Sequence, residues 1–137
     1  MKFPAYAGMT LGGNGTGWEL RLIRTMGAIF MNNCLFCKII AREIPASIIY
    51  EDDNLIAFND IHPKAEVHFL IVPKLHIASM LDLKNEHSEL IAKLVLKAKH
   101  IAVDHGLAGG YKTHINTGKN GGQEIDHLHL HVYGNRE

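Results

Sequence analysis

The chain has 137 residues, 47% of them apolar, with 14 basic and 14 acidic side chains and so a formal net charge of zero. That length is one domain's worth, and that apolar fraction suffices for a single core. Balanced charge without a polybasic run excludes the basic stripe of a nucleic-acid or membrane-surface binder, and no apolar run is long enough to span a bilayer.

Residues 1–30 are glycine-rich and lack sustained periodicity and the apolar core of a secretory signal. They read as an extension outside the domain, with Met31 as the natural start and the domain over 31–137. Residues 34–42 predict a short helix, with Phe36, Ile39 and Ile40 at helical spacing and Ile44-Pro45 ending it. The pair Cys34-x-x-Cys37 is too few cysteines for a disulfide framework, which suits a reducing, cytoplasmic compartment. Residues 47–51 and 55–59 predict a hairpin about the turn-forming run Asp52-Asp53-Asn54. Residues 67–72 are apolar on both faces except at His68 and predict a central strand.

A long helix is predicted over 83–105, from apolar positions recurring at three and four and a terminating Gly106. A fourth strand follows at 111–116, then a glycine loop at 118–122 and a fifth strand at 125–133. The fold class is α+β: a five-stranded antiparallel sheet with one long and one short helix, the helices on one face.

Ten histidines are the compositional outlier, and three of them alternate with apolar residues in His127-Leu128-His129-Leu130-His131. Alternation predicts a strand with Leu128, Leu130 and Val132 in the core. The imidazoles would stand on an open face, roughly 6.5–7 Å from one to the next. Crowding opposes protonation and keeps ring nitrogens neutral, as attack on phosphorus or metal coordination requires. Three titratable groups on one face have no packing rationale and mark a site.

The run from His127 to Tyr133 resembles the motif of the histidine triad (HIT) superfamily. Gly121-Gly122-Gln123-Glu124 before it resembles the Hint branch, the purine nucleoside phosphoramidases. The similarity extends through Asn116 and Phe58-Asn59-Asp60-Ile61 to Cys34–Ile40, about residues 34–134. The resemblance implies a HIT-like fold, with two sheets joined into a ten-stranded one in a homodimer. It implies hydrolysis of a purine nucleoside monophosphate joined to an amine, with no metal needed for catalysis. His129 would be the nucleophile, His131 would bind phosphate, and His127 and His68 would orient rings and relay protons. Asn116, Gly122, Gln123 and Glu124 would meet the phosphate or leaving group, where Glu124 replaces a frequent serine and would suit a cationic amine. Asp60, with Ile61 beside it, would accept from the ribose hydroxyls. Phe36, Ile39, Ile44 and Phe58 would form the purine pocket. Some HIT proteins hold structural zinc through such a cysteine pair and two histidines; the matching set here is Cys34, Cys37, His76 and His127. Hint proteins usually continue beyond the equivalent of Gly134-Asn135-Arg136-Glu137 with a stretch that helps shape the leaving-group side. Two alternatives stand beside this reading: a dinucleoside polyphosphate hydrolase of the related HIT branch, and a nucleotide- or zinc-binding interaction module with little turnover.

Overall fold

The computed structural model describes residues 33–137; the expectation that residues 1–30 are an extension starting ahead of a natural Met31 lies outside the described residues. Five antiparallel strands form one sheet in the order β1-β2-β3-β5-β4. They are β1 (Ile48–Glu51), β2 (Leu55–Asn59), β3 (Val67–Pro73), β4 (Lys112–His114) and β5 (Leu130–Gly134). The β1–β2 turn forms where Asp52 predicts it. Its Oδ1 accepts the N–H groups of Asn54 and Leu55 at 2.7 and 2.8 Å, a side chain doing the work of a backbone turn. Every residue of β3 is buried, as its unbroken apolar run predicts.

The helices do not share a face, contrary to expectation. Helix α2 (Ser88–Asp104) packs Leu94, Ala98, Ile101 and Ala102 against Leu55, Ala57, Phe69, Ile71 and Val132. Helix α1 (Leu35–Ile40) packs Phe36 and Ile39 against Ile56, Phe58, Leu70 and Val72. These are alternate residues of the same strands, so they point to opposite sides. Strands β2 and β3 are apolar on both faces and need a cover on each.

Three boundaries also differ. The long helix starts at Ser88, because residues 85–87 form a 3-10 turn in which the His87 ring accepts the Lys84 N–H at 3.0 Å. Its far end is as predicted: Gly106 has φ +92°, and the Leu107 N–H returns to the Ala102 carbonyl at 2.9 Å. The ladder of β4 is confined to Lys112–His114. That of β5 begins only at Leu130; ahead of it the chain is tied elsewhere, the Leu128 N–H donating to Ile77 O at 2.7 Å. Residues His68, His114 and His131 all project on the α1 side, since their neighbours Phe69 and Val132 face α2.

Candidate active site

The three histidines of the 127–131 run do not stand on an open face. They are 0, 3 and 4% exposed, because α1 and the stretch around His76 cover that side of the sheet. The His127 ring turns away from the other two. Its Nε2–H donates to the Pro73 carbonyl at 2.8 Å, which leaves Nδ1 as a lone pair 3.3 Å from the Cys34 sulfur. The His127 backbone carbonyl, rather than its ring, reaches the next histidine: it accepts from His129 Nδ1 at 2.7 Å. A carbonyl only accepts, so the His129 proton sits on Nδ1 and Nε2 carries the lone pair. Phe36 meets the His129 ring edge-on, centroids 5.0 Å apart and planes at 86°. Burial, the largest influence, pushes the His129 pKa below its ordinary value, and the ring stays neutral.

A second chain of hydrogen bonds fixes His131. The Lys64 backbone N–H donates to His68 Nδ1 at 3.0 Å, so His68 carries its proton on Nε2. That Nε2 lies 3.1 Å from His131 Nδ1 and 3.3 Å from Asp60 Oδ2. His131 therefore accepts at Nδ1 and presents Nε2–H. Burial, helped by His129, His114, His68 and Lys64 nearby, lowers His131 to about 3. Burial likewise lowers His68, against the pull of Asp60, and lowers His114. The result is a lone pair on His129 and a donor on His131 in neighbouring rings, centroids 5.1 Å apart.

Both rings line a cleft of about 340 Å³. Of the other expected substrate contacts, Asp60, Asn116, Gly122 and Glu124 line it too. Gly122 has φ +83°, a conformation that favours glycine, and open space where a Cβ would stand. Asp60 is partly spent inside the protein, its Oδ1 accepting the His62 N–H at 2.8 Å. Gln123 braces the loop through its amide. Its Oε1 accepts from Gly118 N–H at 2.8 Å, and its Nε2 donates to the carbonyls of Ala78 and Ile125 at 2.7 and 2.9 Å. Ile61 is 36% exposed beside Asp60. Phe36, Ile39, Ile44 and Phe58 are at most 2% exposed and belong to the core under α1. Of these four, Phe36 touches the cleft's own machinery, through its edge-on contact with the His129 ring.

Sequence reading missed three residues of the cleft: His62, Lys64 and His114. His114 was legible in principle. Pairing the last two strands puts it directly across from His131, and cross-strand partners share a face.

The set Cys34, Cys37, His76 and His127 is brought together as predicted, its donor atoms all within 4.8 Å of one another. Cys37 Sγ lies 3.2 Å from His76 Nδ1 and 3.5 Å from His127 Nδ1, and the two Nδ1 atoms are 3.1 Å apart. A tetrahedral zinc with Zn–N of about 2.0–2.1 Å and Zn–S of about 2.3 Å needs edges of roughly 3.3–3.8 Å. The donor set fits that ion with small adjustments, and the Pro73 carbonyl on His127 Nε2 is the support that zinc-bound histidines take. The Cys37 hydrogen bond, with His127 adding to it, holds the Cys34 thiol down at about 3; the same contact pushes Cys37 up.

The family model described as "Scavenger mRNA decapping enzyme C-term binding" matches residues 33–137. A solved HIT family hydrolase from Legionella pneumophila is 48% identical, with a TM-score of 0.74 over 77% of this chain and 95% of its own. The chain belongs to the HIT family. Protein HitA of Neisseria gonorrhoeae is 51% identical over 76% of this chain and 97% of its own length. The purine nucleoside phosphoramidase of Escherichia coli K12 is 43% identical over 74% of this chain and 87% of its own. The five-stranded antiparallel sheet with its one long helix matches the fold of solved HIT structures. Among the described residues, no helix is long and apolar enough to cross a membrane.

Proposed function

We propose that this HIT protein hydrolyses purine nucleoside phosphoramidates, nucleoside monophosphates joined to an amine through a P–N bond. The observation that carries the reading is the fixed pair of ring nitrogens in one cleft. His129 Nε2 is a lone pair because its Nδ1–H is held by the His127 carbonyl, and His131 Nε2 is a donor because its Nδ1 accepts from His68. His129 Nε2 attacks phosphorus, forming the N–P bond as the P–N bond to the amine breaks, and the amine leaves with a proton taken from solvent water. The positive charge that develops on the His129 ring is stabilised by the His127 carbonyl at Nδ1–H. His131 donates to a phosphoryl oxygen, where charge accumulates. Water then attacks phosphorus, returns the imidazole and releases the monophosphate. Glu124 at the cleft favours an amine that is cationic as it leaves.

The same reading gives Cys34, Cys37, His76 and His127 a structural zinc. When bound, the ion supplies rigidity to the segment whose carbonyl aligns His129 and takes no part in bond breaking. It also includes a homodimer, supported by Val95, Leu96 and Val103, which expose an apolar stripe on the outer side of α2.

The test compares hydrolysis of an adenosine phosphoramidate and of a dinucleoside polyphosphate by the full chain and by His129→Ala. The P–N substrate is expected to turn over faster, and the variant to lose that turnover. A preference for the P–O–P substrate overturns the assigned bond. Turnover that survives in His129→Ala overturns the nucleophile. An inert wild type that still binds AMP leaves a binding module.

A further inference from the structure

His131 is held by a hydrogen bond at one atom, its Nδ1 to His68 Nε2. The ring is also tethered through Cβ, so that bond restrains its turn about Cβ–Cγ but leaves room to tilt, and the direction of Nε2–H tilts with it. A contact on the ring face removes that remaining tilt. Strand pairing sets His114 of the edge strand directly opposite His131. The two rings lie face to face, centroids 4.2 Å apart and planes within 19°. His131 is thereby stacked on one face by His114, while the His129 ring, tilted by 59°, lies 5.1 Å away. His114 is itself buttressed, since Tyr133 meets it edge-on at 5.6 Å and 79°. None of the roles derived above uses His114, although it lines the cleft.

We infer that His114 is a positioning residue for this reaction, a fourth histidine whose stacked ring sets the plane of His131 and so aims its Nε2–H at the phosphoryl oxygen. The inference rests on the function proposed above. Stacking needs an aromatic face, not a ring nitrogen, so a phenyl ring can stand in for the imidazole. Alanine cannot, and leaves a gap into which His131 rotates. A misaimed donor weakens stabilisation that exists only in the transition state, so the loss falls on kcat rather than on KM. The other groups facing His131 are His129, His68, Lys64 and Asp60; all are kept in both variants.

The experiment makes His114→Ala and His114→Phe in the full chain and measures kcat and KM for the adenosine phosphoramidate. NMR titrations of the His131 ring with AMP are recorded alongside. His114→Ala is expected to lower kcat about 10-fold or more with KM within about 2-fold, the scale on which a small misplacement acts. It should also shift the His131 ring resonances in the AMP complex. His114→Phe should recover most of kcat and return those resonances. Wild-type kcat in His114→Ala overturns the inference, as does equal loss in both variants, which would mean that the imidazole nitrogen is what matters. The NMR arm needs binding but no turnover. Failure of the phosphoramidase reading and failure of the stacking role are thus separable: an inert wild type with intact His131 shifts sinks only the former.

Discussion

Acid should unfold this protein earlier than its carboxylates alone require. His68, His129 and His131 are 3–4% exposed, and burial is the leading cause that holds each below the ordinary value of 6.5. In the unfolded chain these rings bind protons as pH falls through about 6.5, whereas in the folded chain they do not until lower. The unfolded state therefore binds more protons in that window, and stability falls with falling pH. For His131, lowered to about 3, a pH of 4 lies about 2.5 units below the unfolded value; at about 1.4 kcal/mol per unit that is a loss of about 3 kcal/mol. With all three rings resisting protonation, the slope has a ceiling of about 4 kcal/mol per pH unit. A domain of this kind has roughly 5–15 kcal/mol to lose. Glu51 and Asp52, whose carboxyls are held low, contribute only in the more acid carboxylate range, so their window is separate. Urea melts from pH 7.5 to 4.5, with the proton uptake on unfolding measured independently, check the claim. A stability that stays flat between pH 6.5 and 5 refutes the burial of three neutral rings.

Two further outcomes follow from the supports of the cleft. A strong chelator, or Cys37→Ser, should lower Tm and kcat together, with about one zinc per chain in the untreated protein by metal analysis; a metal-free protein with unchanged melting contradicts the ligand set. Gln123→Ala removes three hydrogen bonds, one to Ala78 and two within the 118–125 loop, and should cost about 2 kcal/mol in urea melts; a melt within error of wild type shows that the loop does not depend on them.

Much of the fold was legible because its signals are local. The Asx turn at Asp52, the two-faced apolar run of β3 and the Gly106 cap each declare themselves within a few residues. The helix start was misread because Leu83 keeps the apolar spacing while Lys84 and His87 form a 3-10 turn instead, a choice made by one side-chain hydrogen bond. The placement of the histidines was legible only as clustering. Alternation implies one face for His127, His129 and His131, but residues 127–129 lie ahead of the ladder, where Ile77 and the Pro73 carbonyl redirect them. His127 thereby joins the cysteines through its ring and serves His129 through its backbone, and no periodicity encodes that division. His114 escaped because its importance comes from a cross-strand partner 17 positions away.

The central claim is that His129 Nε2 takes the nucleotidyl group. It is tested most directly by mixing the full chain with an adenosine phosphoramidate, quenching within the first turnover and mapping the peptides by mass spectrometry under conditions that preserve P–N bonds. An adenylyl group on His129, appearing before monophosphate accumulates and absent from His129→Ala, is the predicted result. An adduct on His131 or His68, or rapid release of monophosphate with no adduct at any time point, contradicts it.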